Sequence, residues 1–400
     1  MSFKNTLIDK HIQVVPGFSW FGKNIGIKDE TLDFGGILSD VACNVAAVFT
    51  KNTMPGAPVI VGRQHIDNGQ LQAIIVNSKN ANVATEIKGI KDSKHICELV
   101  AKQCQIDTEM VLPSSTGVIG QRLPMDIIVQ GCQTLADDFG KTEAHIEAFA
   151  KSIMTTDTRP KWISAKIGDI TLLGIAKGAG MIEPNMATML CYFVSDADIS
   201  STHLQDMLRR VVNKSFNRIS IDTDTSTSDT VVLMSNGLGG LVDEMKFEEA
   251  LEEMAIYLAK EIARDGEGAT KLIELTVSGA QTQEQALLTA KSVVNSPLVK
   301  TAIYGADPNW GRFVMAIGKV FNYTVDIHDL TIYFGTGSNR LMINAAMLDE
   351  DTVPLDDISR LLEQKEVIIE IVLGDGDYTE TVWGCDLTEE YVKVNAHYTT

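Results

Sequence analysis

Short apolar runs broken by Gly, Pro and Asn fill the first quarter of the chain and predict strands over 35–38, 42–49, 59–61 and 72–76. A helical period then takes over. With Asp92 as cap, Ile96, Leu99, Val100 and Cys104 fall on one face. Pro124 opens a helix to about residue 139, and a second begins near Thr142, with Ile146, Phe149, Ala150, Ile153 and Met154 at core spacing. Residues 162–167 and 170–175 read as a hairpin about Gly168-Asp169. The runs 170–176 and 189–194 are continuous enough to be strands buried on both faces. Beyond them Thr202 caps a helix whose stripe is Leu204, Met207, Leu208, Val211 and Val212, and a longer helix over 247–264 turns Leu251, Met254, Ala255, Leu258 and Ile262 inward. Strand 272–277, helix 283–294, strands 330–334, 367–373 and 378–383, and a helix over 356–363 complete the pattern. This is an α/β chain in which helices flank mixed sheets. We divide it into a domain over 1–280 and a smaller α+β domain over 281–400.

Composition narrows the function. Of 400 residues, 44% are hydrophobic and 22% charged, as in ordinary globular proteins. A net charge of −19 argues against nucleic acid and anionic membrane surfaces as partners. The six cysteines (Cys43, Cys97, Cys104, Cys132, Cys191 and Cys385) form no Cys-x-x-Cys and read as reduced thiols of a cytoplasmic protein. No signal-peptide core or membrane-length apolar run is present. The seven histidines form no His-x-His or His-Glu-x-x-His, so no metal site is expected. Neither a Gly-x-Ser-x-Gly elbow nor a strand-to-helix Gly-x-Gly-x-x-Gly appears, and no cofactor is expected.

The chemistry concentrates between the two buried runs, in Lys177-Gly178-Ala179-Gly180-Met181-Ile182-Glu183-Pro184-Asn185-Met186-Ala187-Thr188-Met189-Leu190. Two glycines and a proline restrain a loop that delivers Ala187 and Thr188 to the start of a strand. One reading is structural: a Gly-rich connection whose Thr begins a β-branched strand. The other is self-cleavage. Thr188 Oγ1 attacks the Ala187 carbonyl, the chain parts there, and the new α-amino group, with a pKa of roughly 7.7–8.0, becomes the general base for its own hydroxyl.

Other stretches carry the same double reading. Ser115-Thr116-Gly117-Val118-Ile119-Gly120 is a Gly-rich turn, or an oxyanion hole in which the Thr116 hydroxyl and the Gly117 N–H donate to a developing alkoxide. Lys177 is a solvated cation, or a ligand for a substrate carboxylate. The oxygen-rich run 222–229 lacks the glycine and the final glutamate of a calcium loop, which leaves a hydrogen-bonded turn supporting the site. Glu267, between Gly266 and Gly268, could meet a substrate ammonium.

Lys-Gly-x-Gly-Met-Ile-x-Pro-Asn-Met-Ala-Thr-Met-Leu and Ser-Thr-Gly-Val-Ile-Gly resemble the signatures of the ornithine acetyltransferase (glutamate N-acetyltransferase) family, and further matches run to the last residue. The resemblance implies a layered αββα fold of self-cleaving Thr-nucleophile enzymes, cut into an α chain, 1–187, and a β chain, 188–400. It implies Thr188 as nucleophile, Thr116 and Gly117 as oxyanion hole, and Thr155, Lys177, Glu267, Asn395 and Thr400 as substrate residues. The implied reaction moves acetyl from N2-acetyl-L-ornithine to L-glutamate in arginine biosynthesis. Some members also use acetyl-CoA, and the assembly has two α and two β chains or more. The runners-up are a related self-cleaving amidohydrolase, a paralogue in a secondary-metabolite pathway, and an uncleaved binding protein. The chain departs from the family at Lys79 and Thr223, where Gly is usual, and at Glu183, where many members carry Ala. Lys79 leads us to expect no positive φ at that position.

Overall fold

The computed structural model describes residues 7–183, 189–344 and 354–397. The expected α/β class holds: two mixed sheets with helices packed on them. The chain falls into two compact units, 1–217 with 224–262, and 218–223 with 263–400. The boundary lies at 262/263 and not at the expected 280/281. The strand Leu272–Ala280 hydrogen-bonds to Glu366–Val372 and Tyr378–Cys385, which commits it to the second unit.

In the first unit, one sheet runs in the order Leu7–Asp9, Lys161–Ile167, Ile170–Lys177, Leu190–Ala197, Thr230–Gly240, Phe34–Phe49, Gln70–Asn77 and Val111–Ser115, with Phe18–Lys23 paired on Phe34–Phe49. The two buried runs of the sequence are its centre. Ile170–Lys177 lies antiparallel to Leu190–Ala197, with Lys177 opposite Leu190. Leu190 in turn faces Thr230 across a parallel pair. Period-two alternation sends Ile74 and Val76 to one core with Trp20, Phe149 and Tyr192. Ala73 and Ile75 go to the other, with Phe34, Ile96, Val100 and Ile128. Both faces are therefore covered, as near-continuous apolar strands require. The second unit packs a six-stranded sheet around Leu275, Val277, Ile332, Phe334, Ile369 and Val382. Among the described residues no helix is long and apolar enough to cross a membrane.

Several elements differ from expectation. Residues 59–61 are not a strand but the middle of a helix, Ala57–His65. Pro58 sits in its first turn, and burial of Val59, Val61 and Gly62 overrides β-branched preference. The helix assigned to an Asp92 cap begins at Glu86, because the buried Gly89 is absorbed into it against Thr85. Ser200, not Thr202, caps Ser201–Lys214, accepting the His203 N–H. The single helix predicted over 124–139 breaks into Met125–Gly131, a 3₁₀ turn and Leu135–Asp138. Helix Gln283–Val294 matches, with Thr282 accepting the Gln285 N–H.

Lys79 contradicts the reading made of it. Its φ is +78°, and Thr223, the other replacement of a usual Gly, has φ +71°. The backbone keeps the left-handed conformation and a residue with a Cβ bears it at each position, at a cost of about 1–2 kcal/mol. Lys79→Gly should therefore stabilise the protein by about 1 kcal/mol, read as a higher midpoint in chemical denaturation; an unchanged or lower midpoint contradicts this.

Candidate active site

Loops at strand ends in the first unit are tied together in pairs. Strand Val111–Ser115 runs parallel to Gln70–Asn77, so residues 116–118 meet residues 77–80. The Thr116 N–H donates to Asn77 O at 3.1 Å and the Val118 N–H to Lys79 O at 2.9 Å. Gly117, between them, has φ +131°, and a Cβ there would lie 2.2 Å from the Lys79 carbonyl carbon. Only glycine fits. Among the described residues, the Gly117 N–H and the Thr116 hydroxyl find no hydrogen-bond partner. Two donors on adjacent residues are thus left for something else.

The loop after helix Glu143–Ser152 is pinned by Asp157. This buried carboxylate accepts the Thr155 N–H at 3.1 Å, the Gly178 N–H at 2.6 Å and the Lys161 ammonium at 2.7 Å. Burial alone would raise its pKa. The Lys161 and Lys177 ammonium groups and the donated hydrogen bonds overcome that and hold it well below the usual carboxylate range. The arrangement brings together two expected substrate residues 22 positions apart: Lys177 Nζ donates to Thr155 Oγ1 at 3.3 Å. Lys177 is buried at the end of its strand.

Lys28 joins this cluster, unforeseen in the sequence. Its Nζ donates to Met154 O at 2.6 Å and Leu32 O at 3.1 Å. Burial, with the like charges of Lys177 and Lys79, pushes its pKa down to about 8 against the pull of Asp33 and Asp157. The Asp33 carboxylate is itself taken up by the Ile25, Ile27 and Lys28 N–H groups. Gly26-Ile27-Lys28 ahead of Asp33 reads as an exposed polar turn, so no periodicity marks it.

Ala187 and Thr188 lie outside the described residues, and the structure resumes at Met189. The Met189 N–H donates to Asp229 Oδ1 at 2.9 Å, and Met189 O accepts the Thr230 N–H at 3.2 Å. Asp229 Oδ2 is buried without a partner, since the nearby Thr50 hydroxyl donates to Ser226 O at 2.6 Å. Burial lifts the Asp229 pKa well above the carboxylate range; the Met189 N–H and Lys177 only partly oppose it. The run ending in Asp229 is a hydrogen-bonded turn: Gly56 N–H meets Thr227 O, Glu183 N–H meets Asp224 O, and Thr225 Oγ1 donates to Glu183 O.

In the second unit, Asn395 Nδ2 donates to Glu267 Oε2 at 2.7 Å, joining two more expected residues. Gly268, at φ +70°, packs where a Cβ would sit 2.5 Å from the Tyr391 nitrogen. Thr400 lies outside the described residues.

Asp229 gives a pH signature. Its raised pKa means the folded state holds a proton that the unfolded chain releases near pH 3.9. Stability from this group is present below about pH 4 and lost as pH rises toward the folded pKa, by at most about 1.4 kcal/mol per pH unit. Asp229→Asn keeps the acceptor for Met189 and has no proton to lose. Denaturant midpoints should show Asn gaining on Asp between pH 5 and pH 7; parallel curves would refute the protonated carboxyl.

The ArgJ family matches this chain over residues 19–400. The chain is 48% identical to arginine biosynthesis bifunctional protein ArgJ 2 of Clostridium acetobutylicum over 384 residues, which is 96% of this chain and 97% of that protein. It is 44% identical to glutamate N-acetyltransferase Oat2 of Streptomyces clavuligerus over 387 residues, covering 96% and 98%. Among solved structures, ornithine acetyltransferase from Mycobacterium tuberculosis in complex with ornithine is 32% identical, covering 46% of this chain and 98% of that one, at a TM-score of 0.43. With its signatures intact at 116–117 and 177–190 and the match extending to its last residue, the chain belongs to the ArgJ family of bifunctional arginine-biosynthesis enzymes.

Proposed function

We propose that this protein is a glutamate N-acetyltransferase that cleaves itself between Ala187 and Thr188 and carries acetyl on Thr188 from N2-acetyl-L-ornithine to L-glutamate. The observation that carries this reading is the pair of donors without partners, Thr116 Oγ1 and Gly117 N–H, set in backbone that only glycine can enter. Lys177 stands opposite Leu190, two residues after Thr188.

In maturation, Thr188 Oγ1 adds to the Ala187 carbonyl and the C–N bond breaks, leaving an ester and a free α-amine. Water then hydrolyses the ester, giving the Ala187 carboxylate and the Thr188 hydroxyl. In turnover that amine takes the hydroxyl proton as Oγ1 attacks the acetyl carbonyl of N2-acetylornithine. Thr116 and Gly117 hold the tetrahedral oxyanion and ornithine leaves with the proton; the amine of glutamate then attacks the acetyl-Thr188 ester, the acyl C–Oγ1 bond breaks, and Thr188 Oγ1 recovers its proton by way of the α-amine as N-acetylglutamate leaves. Lys177 suits a substrate carboxylate and Glu267 a substrate ammonium, and Thr155, Asn395 and Thr400 are the further substrate residues of this reading. Acetyl-CoA as a second donor belongs to the same reading and accords with "bifunctional" in the relatives' names. So do an assembly of two α and two β chains and a cytoplasmic setting.

Denaturing mass spectrometry should find fragments of about 20 and about 23 kDa in place of the 43.6 kDa chain, and an intact chain for Thr188→Ala. A wild-type chain that stays whole removes the amine base and this mechanism with it. Thr116→Ala should slow acetyl transfer by about 10²–10³-fold, the loss of one oxyanion donor at about 2.7–4 kcal/mol. Full activity in that variant would dismiss the oxyanion role, and release of free acetate in place of acetylglutamate would make the enzyme a hydrolase.

A further inference from the structure

Lys28 is a half-buried ammonium whose hydrogen-bond partners are neutral where an ion pair would be expected. Its hydrogen bonds go to two carbonyls, Met154 O and Leu32 O. Among the described residues no carboxylate lies within ion-pair distance of it, and the third N–H of the ammonium has no partner. Both nearby acids are already committed. Asp33 is occupied by three backbone N–H groups, and Asp157 by Lys161, the Gly178 N–H and the Thr155 N–H. The location is equally specific. Lys28 holds the carbonyl of residue 154 and Lys177 holds the hydroxyl of residue 155, so consecutive residues of one loop anchor two ammonium groups. Partly desolvated positive charge without an anion is costly, and it concentrates where a charged ligand completes the site.

We propose that Lys28 is a substrate-binding residue: its ammonium, beside that of Lys177, receives the α-carboxylate shared by the acyl donor and the acceptor amino acid. This rests on the acetyltransfer reading for its choice of ligand. A lysine suits the task because a compact ammonium can keep two carbonyls and still turn an N–H toward a carboxylate. Its lowered pKa adds a direction: free Lys28 loses its proton as pH rises through about 8, so affinity for the carboxylate should fall over that range.

Calorimetric titration of the full protein with L-ornithine and with L-ornithine amide, which lacks the carboxylate charge, tests this without requiring turnover. Lys28→Met should weaken ornithine binding about tenfold or more, a loss of about 1.4 kcal/mol, and leave the amide unchanged. Lys28→Arg should recover part of the loss. Wild-type affinity for ornithine should decline above about pH 8, and that of Lys28→Met should not follow. Mass spectrometry of each variant reports whether the chain is still processed. Equal losses for ornithine and its amide would overturn the proposal and leave Lys28 as support for the 154–157 loop, as would an unchanged Lys28→Met or a wild type that binds no ornithine. Loss confined to ornithine in a protein that transfers no acetyl group would uphold Lys28 and refute the acetyltransfer reading.

Discussion

The buried Asp157 carboxylate is the interaction on which the site in the first unit depends. It joins the loop after a helix to the first residue beyond the strand Ile170–Lys177, through Gly178. Lys161, on the neighbouring strand, neutralises it at 2.7 Å. Removing one partner of a buried ion pair typically costs about 3–5 kcal/mol, so the loop has no cheap alternative position. Thr155, Lys177 and, through Met154, Lys28 are placed as a consequence of that anchor.

Asp157 and Asp229 show one residue type in opposite states. Both are buried in the same unit. Asp157 has a lysine in contact and two backbone N–H donors, which hold its carboxyl well below the usual range. Asp229 has one backbone N–H at 2.9 Å and an oxygen without a partner, and burial pushes its pKa well up. The difference is one of neighbours: Asp157 has Lys161 four residues on, and no lysine or arginine lies that near Asp229 in the sequence. An ionised acid builds a rigid frame, while a neutral one sits next to the residue that follows the proposed nucleophile, where a second negative charge would oppose a developing oxyanion.

The central strands were legible because uninterrupted apolar runs between Gly and Pro have few other solutions, and Thr116-Gly117 and Lys177 were singled out as candidates by motif. The helix Ala57–His65 was not. Three β-branched or apolar residues in a row look like a strand until the packing of Pro58, Val61 and His65 is known. Lys79 misled for a related reason: residue identity reports what a backbone prefers, and here the close approach of Gly117 dictates what it does. Lys28 escaped because its partners are backbone carbonyls, Asp157 and Lys161 because a spacing of four between a loop and a strand carries no helical meaning, and Asp229 was legible only as the end of the oxygen-rich turn 222–229.

The antiparallel ladder between Ile170–Lys177 and Leu190–Ala197 has Lys177 opposite Leu190. A break at 187/188 would leave each of these rungs in place. The halves would remain complementary edges of one sheet, each with an apolar strand that needs the other chain to be covered. Folding of the uncut chain is a unimolecular event, whereas reassembly of the cut pair is bimolecular. Once matured, the molecule would regain its structure only as fast as its halves meet, at a rate set by concentration, and stray edges would compete for pairing in the meantime. Maturation would thus turn a reversible fold into one held mainly by the slowness of its opening.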